Sequence, residues 1–319
     1  MTAPKAHALF AASNSDRWTN CPASILLSQR APEQKSGAAA DEGTRAHELM
    51  ELVLKAGHKD VFDLEGDGVE ITDHFDSEMI RHVQGFVDFV WSQMKPGYEL
   101  LVETKVYLDF IHPTEAFGTV DVAIIEPFGV LHVIDFKYGQ GYVNHKDNSQ
   151  MLYYALGIAH LHHYDFEKVK TTIYQPRGSA EVDPAKIART DEFSVEKLKT
   201  WRHRFEEAVI VAERILETEN FHEDKELHAG SWCKFCPAKI LCPAITKTAL
   251  QNAKLDFASP IQPEPQSLTT DQLKKILDRA AYLELWVKEV KKYAEDQIRA
   301  GKKIPGYGLV PTKPSRVWK

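Results

Sequence analysis

Asp121, Asp135 and Lys137 are the residues whose types and spacing most directly suggest chemistry. They fall within the run from Gly118 to Lys137, in which two β-branched stretches, Val120–Ile125 and Val130–Ile134, flank Glu126-Pro127-Phe128-Gly129. That pattern predicts two strands joined as a hairpin. Side chains alternate between the faces of a strand, so Asp135 and Lys137 project from the same side, and Asp121 on the neighbouring strand can reach it. Two carboxylates beside one lysine make a poor hydrophobic core. They suit a divalent cation and the hydrolysis of a phosphodiester. The plainer alternative is an ion pair at an exposed sheet edge.

The elements that must position these residues are legible around them. Helical spacing of Ala46, Leu49, Met50, Val53 and Leu54 predicts a helix over 41–56, which places His47 and Glu51 one turn apart on one face. A second helix is predicted over 73–94, strands over 99–110, 119–125 and 130–136, and a helix over 150–160. On that last helix Gln150 and Tyr154 share a face, as a packed interior pair or as site residues. A strand over 168–175, a long helix over 194–218 and a charged helix over 270–300 follow. The Pro/Gln-rich stretch near 256–268 reads as a linker between residues 1–255 and a C-terminal part, 269–319. Helices and strands in this order predict an α/β core, a sheet with helices packed on it.

Cys21 stands alone, whereas Cys233, Cys236 and Cys242 form a Cys-x2-Cys-x5-Cys cluster. Thiols so grouped are metal ligands or redox groups. The spacing is not that of the paired zinc ribbons, and an iron–sulfur cluster, zinc and unligated thiols all remain open. Trp18, Trp232 and Phe235 are candidates to shield the group.

Bulk properties set outer bounds. At 319 residues, 43% apolar and 27% charged, the chain has an ordinary globular composition. No apolar run approaches the ~20 residues needed to span a bilayer, and the first residues lack the apolar core of a signal peptide. The expectation is a cytoplasmic protein without stable disulfides. A net charge of −7 argues mildly against a protein that coats DNA, but not against a local DNA groove. Lys302, Lys303, Lys313, Arg316 and Lys319, with Tyr307 and Trp318 among them, form either a solvated basic tail or a nucleic-acid contact.

The run from Gly118 to Lys137 resembles the core signature of the PD-(D/E)XK nuclease superfamily, with Asp135-Phe136-Lys137 as its D-x-K element. Three further pieces resemble its RecB-like branch, which includes CRISPR adaptation nucleases, AddB-type helicase–nuclease subunits and phage recombination exonucleases. Residues Gly43 to Glu51 resemble the N-terminal helix with its metal-binding histidine, and Gln150 to Gly157 the Q-x-x-x-Y element. The cysteines resemble its iron–sulfur variant. Together these pieces span residues 15–245, and the whole layout is similar to a family of phage- and prophage-borne recombination nucleases.

The resemblance implies a restriction-endonuclease-like core, a central mixed sheet flanked by helices, closed by a four-cysteine staple. It implies Mg²⁺ or Mn²⁺ on His47, Asp121, Asp135 and the backbone carbonyl of Phe136, with Lys137 orienting water. Gln150 and Tyr154 would contact the DNA backbone or position the lysine, and Glu51 and Glu103 would support the site. Cys21, Cys233, Cys236 and Cys242 would hold a [4Fe–4S] cluster, with zinc as the alternative. The activity implied is that of a metal-dependent DNA exonuclease in phage-type recombination or end resection, in a bacterial host cytoplasm. A single-strand annealing protein is the implied partner, and the chain acts as a monomer or a DNA-threading homo-oligomer. A non-cleaving nucleic-acid-binding iron–sulfur module, or a redox-sensing scaffold, is the alternative.

Overall fold

The computed structural model describes residues 8–32, 38–178, 186–256 and 268–309. The β-branched runs on either side of Pro127 form strands. β1 (Glu99–Tyr107), β2 (Phe117–Glu126), β3 (Val130–Phe136), β4 (Lys168–Tyr174) and β5 (Ala188–Ser194) lie in that order in one five-stranded sheet. The pairs β1–β2, β2–β3 and β4–β5 are antiparallel and β3–β4 is parallel, so the sheet is mixed. The sequence reading missed β5: Arg189, Thr190, Asp191 and Glu192 carry too little apolar pattern to announce a strand, and its register on β4 makes it one.

Helices α1 (Ser15–Asn20), α2 (Ser24–Arg30), α3 (Ala38–Lys55), α4 (Ile71–His74) and α5 (Ser77–Gln93) precede the sheet. α6 (Ser149–Leu161) joins β3 to β4, the crossover that a parallel pair requires. α7 (Val195–Thr218), α8 (Glu223–Glu226), α9 (Pro243–Asp256) and α10 (Thr270–Arg299) follow β5.

Each face of the sheet is covered for a readable reason. The Asp76 carboxylate caps α5 by accepting from the Met79 N–H at 2.9 Å. Met79, Val83, Phe86, Val87 and Val90 then recur at helical spacing and are fully buried. They join Ala46, Leu49, Met50 and Val53 of α3 and Val122, Ile124, Ile134 and Phe136 of the sheet in one core. Burial of each such side chain stabilises the fold by about 1.5–3 kcal/mol. α6 covers the other face and is buried almost all round, from Met151 to Ala159. Gly157 permits its close approach, because a Cβ there would lie 2.5 Å from the Val106 Cβ.

The described residues divide into two compact units. The first takes those within Met1–Asn20 and Gln34–Arg214 and contains the whole sheet. The second takes those within Cys21–Glu33 and Ile215–Lys319. In it the Ala23 N–H donates to the Glu226 carbonyl at 3.1 Å, two 3-10 turns run over Ser231–Phe235 and Pro237–Leu241, and α9 packs on α10. α10 has no fully buried residue, and Leu277 on its apolar stripe is 68% exposed.

The expected linker lies, but for its two end residues, outside the described residues, as do Lys313, Arg316, Trp318 and Lys319. Among the described residues no helix is long and apolar enough to cross a membrane.

Candidate metal centre

The site is built where two β-ladders lapse. β1 and β2 pair Val102 with Val122 and Thr104 with Val120, leaving Glu103 and Asp121 opposite each other without a ladder pair. Glu103 holds a left-handed φ of +46°, a conformation that costs a non-glycine residue about 1 kcal/mol or more. The β2–β3 ladder ends at Val122–Ile134, and its next position brings Asp121 level with Asp135. There the Phe136 N–H donates to Asp121 Oδ2 at 2.8 Å. Three acids on three adjacent strands thus converge at one interruption of the sheet. α3 supplies His47, whose Nδ1 is 3.5 Å from Asp121 Oδ1 and whose ring centre is 5.6 Å from that of Phe136. One ligand atom each of His47, Glu103 and Asp121 lies within 4.8 Å of the others.

Asp135 is tied to the neighbouring lysine and to α6. Lys137 Nζ is 2.9 Å from Asp135 Oδ2 and donates to Oδ1 at 3.1 Å. Gln150 Nε2 donates to Asp135 Oδ1 at 3.2 Å and to Tyr154 Oη at 3.0 Å. Asp135 Oδ2 is a buried acceptor without an aligned hydrogen bond, close as it is to the ammonium. Such an atom has capacity to spare for a cation. Glu51 ion-pairs with Lys55 at 2.6 Å.

The electrostatics follow from crowding charge in a buried place. Burial opposes protonation of His47, but the Asp121 carboxylate outweighs it and lifts the imidazole to about 9. Burial, reinforced by Asp121, pushes Glu103 up to about 7. Asp121 is held below the usual carboxylate range: burial works against its charge, and His47, Lys137 and the Phe136 N–H more than offset that. Asp135 is raised by burial and by Asp121. Burial also opposes the Lys137 charge, yet Asp135 and Asp121 hold its ammonium above the ordinary value. A set of one imidazole and several carboxylates fits Mg²⁺ or Mn²⁺.

The four cysteines belong to the second unit, and all are free and buried. Main-chain N–H groups point at their sulfurs: His228 N donates to Cys21 Sγ at 3.4 Å and Gly230 N to Cys233 Sγ at 3.3 Å. Those of Ile245 and Ala244 serve Cys242. Burial pushes the Cys21 thiol up to about 12 and the Cys233 thiol up to about 11, and the neighbouring cysteines add to both. Metal ligation requires thiolates, and N–H donors to sulfur suit thiolate ligands. The donor set therefore fits a thiolate-bound metal group. Phe235, expected to shelter these sulfurs, is instead 83% exposed, and Trp18 packs edge-on against Phe10 and Tyr153 and tilted against Phe205.

The family model described as "Protein of unknown function (DUF2800)" matches residues 7–319. The chain belongs to this family. A solved structure described as "Crystal structure of SSO0001" is similar at 12% identity and a TM-score of 0.27, over 72% of this DUF2800 chain and 96% of the other. A likeness that slight says nothing of this chain's activity.

The geometry of this DUF2800 member brings His47, Asp121, Asp135, Lys137, Gln150 and Tyr154 into one network of contacts. It also promotes Glu103, expected only in support, to the group that can ligate a cation. Nothing in the sequence around Glu103 announces its left-handed backbone; the signal available was its position on the strand before Asp121.

Proposed function

We propose that this chain is a divalent-metal-dependent DNA nuclease of the PD-(D/E)XK type. The observation that carries the reading is the convergence of His47, Glu103 and Asp121 within 4.8 Å, beside the Asp135–Lys137 pair. His47, Glu103, Asp121 and Asp135 would hold Mg²⁺ or Mn²⁺. A bound cation polarises the scissile phosphate and lowers the pKa of water.

The rest is the work of this chain's own residues. Lys137, fixed by both oxygens of Asp135, orients the attacking water and offsets charge growing on the phosphoryl oxygens. Gln150 steadies Asp135 from α6, and Tyr154, held neutral by burial, accepts from Gln150 and keeps its O–H as a donor. Water adds to phosphorus as the sugar oxygen leaves, with no covalent enzyme intermediate. We infer further that Cys21, Cys233, Cys236 and Cys242 hold a [4Fe–4S] cluster that organises the second unit.

The test uses protein purified without oxygen, end-labelled linear duplex, a closed circle, and Mn²⁺ or Mg²⁺. Degradation of the linear DNA alone, abolished by chelator, is the expected result for an exonuclease acting at ends. Intact linear DNA in both cations would sink the reading. Iron and acid-labile sulfide in the protein are expected on the cysteines, and zinc without iron would replace the cluster.

A further inference from the structure

The segment from Lys137 to Asn148 has no regular structure, yet buried polar groups grip it at successive points. Gln175, 2% exposed, donates Nε2 to the carbonyls of Gly139 at 2.6 Å and Gly141 at 2.9 Å. Its Oε1 accepts from the Val143 N–H at 3.4 Å and from Arg189 at 2.9 Å. Arg189, itself buried, donates to the Val143 carbonyl at 3.1 Å. Gly178, at φ +76°, lies so close that a Cβ there would sit 2.3 Å from the Gln140 carbonyl oxygen.

The middle of this gripped loop displays Tyr142, which is 60% exposed and has the Arg189 guanidinium 4.8 Å from its ring centre. The loop and the candidate site share one strand end: Gln175 follows Tyr174, whose carbonyl accepts the Lys137 N–H at 2.8 Å. Tyr142 is five positions beyond Lys137, a reach of at most ~18 Å.

A mobile surface loop needs no buried amide and guanidinium to hold its carbonyls, and burying such groups is costly unless every partner is made. What this investment fixes in place is an aromatic ring open to solvent and backed by a cation. Sequence-tolerant binding of single strands uses that chemistry, with bases stacking on aromatic side chains and arginine nearby. We propose that Tyr142 is the stacking platform for a nucleobase of the strand bound at the metal centre. Gln175 and Arg189 are its positioning residues. This rests on the nuclease reading above and adds to it where the strand lies.

The test crosses Tyr142→Ala with abasic sites, placed one at a time along an oligonucleotide substrate. On the intact strand Tyr142→Ala should raise KM at least about fivefold, the low end of one lost base stack, with kcat within a factor of about three. At one position the abasic site should cost the wild type the same factor and cost Tyr142→Ala nothing further. Tyr142→Phe, which keeps the ring, should behave as wild type. Gln175→Leu should raise KM, not kcat, and weaken the coupling to that position. Equal abasic penalties in wild type and Tyr142→Ala at every position would overturn the proposal while leaving the nuclease intact. Wild-type protein that neither binds nor cleaves the intact strand would overturn the nuclease reading itself, and this proposal with it.

Discussion

The carboxylate site and the cysteine group are both clusters of buried and half-buried ionisable side chains, but their scaffolds differ. Glu103, Asp121 and Asp135 sit on three adjacent strands, anchored by the ladder pairs that flank the β1–β2 gap and end the β2–β3 ladder. Without any cation, Lys137 and His47 already compensate their charge. Cys21 precedes α2, Cys233 lies on the first 3-10 turn, and Cys236 and Cys242 flank the second, with backbone N–H groups as their main polar contacts. Lys239 is a cation that acts on Cys233, and it is itself paired with Glu289 at 2.9 Å, whereas Lys137 is paired with the carboxylate site's own Asp135. On the function proposed above, one cluster is prepared to receive a metal and the other depends on one to be assembled. Chemistry should be separable from folding in the first and inseparable in the second.

Four experiments bear on that contrast. The largest effect belongs to Asp121→Asn, which should lower cleavage by about 10³-fold or more while moving stability by no more than about 1 kcal/mol, read as turnover against thermal melting. Cys236→Ala should do the reverse. Iron content should fall and Tm drop by at least about 5 °C, and an unchanged Tm would erase the difference drawn here.

Acid should act on the sheet through a residue remote from the carboxylates. His132 is 4% exposed, pairs with Thr172 Oγ1 at 2.8 Å, and is pushed down to about 4 by burial, helped by Lys170. Its unfolded value is about 6.5, so between the two the unfolded chain binds more protons and stability falls as pH falls. At pH 5 this amounts to about 2 kcal/mol, lost progressively below pH 7 and complete near pH 4. His132→Gln should remove that part of the acid sensitivity in melts at pH 5 and pH 7.5. Smallest is Glu103→Gly, which should relieve the left-handed backbone and gain up to about 1 kcal/mol while weakening Mn²⁺ binding measured by titration. A loss of stability there would show the φ of Glu103 to be unstrained.

Much of this was legible in the residues because it depends on local period. The alternation around Asp121 and Asp135 and the turn-by-turn spacing of His47 with Glu51 and Gln150 with Tyr154 needed no tertiary information. What escaped was set by neighbours. β5 exists because β4 offers it an edge, and Arg189 on it reads as an ordinary surface cation until the loop after Lys137 folds over it. Glu103 is commonplace as a letter; the missing ladder pair opposite Asp121 makes it a ligand candidate. That Cys21 goes with Cys242 was implied by the resemblance to iron–sulfur nucleases, whereas the grouping of the described residues of Cys21–Glu33 with the C-terminal ones was not.

That grouping also sets a schedule. Cys21 emerges from the ribosome 221 residues before Cys242, the interval from position 21 to position 242. At ordinary synthesis speeds this is a wait of about 10–40 s, in which the segment that begins the second unit has no counterpart to fold against. The entire β-sheet is made during that wait. The Cys21 thiol therefore passes its first seconds outside the burial that later renders it inert, open to oxidation or to the wrong metal. For the metal group proposed on these cysteines, correct loading is then as much a matter of timing during synthesis as of affinity afterwards.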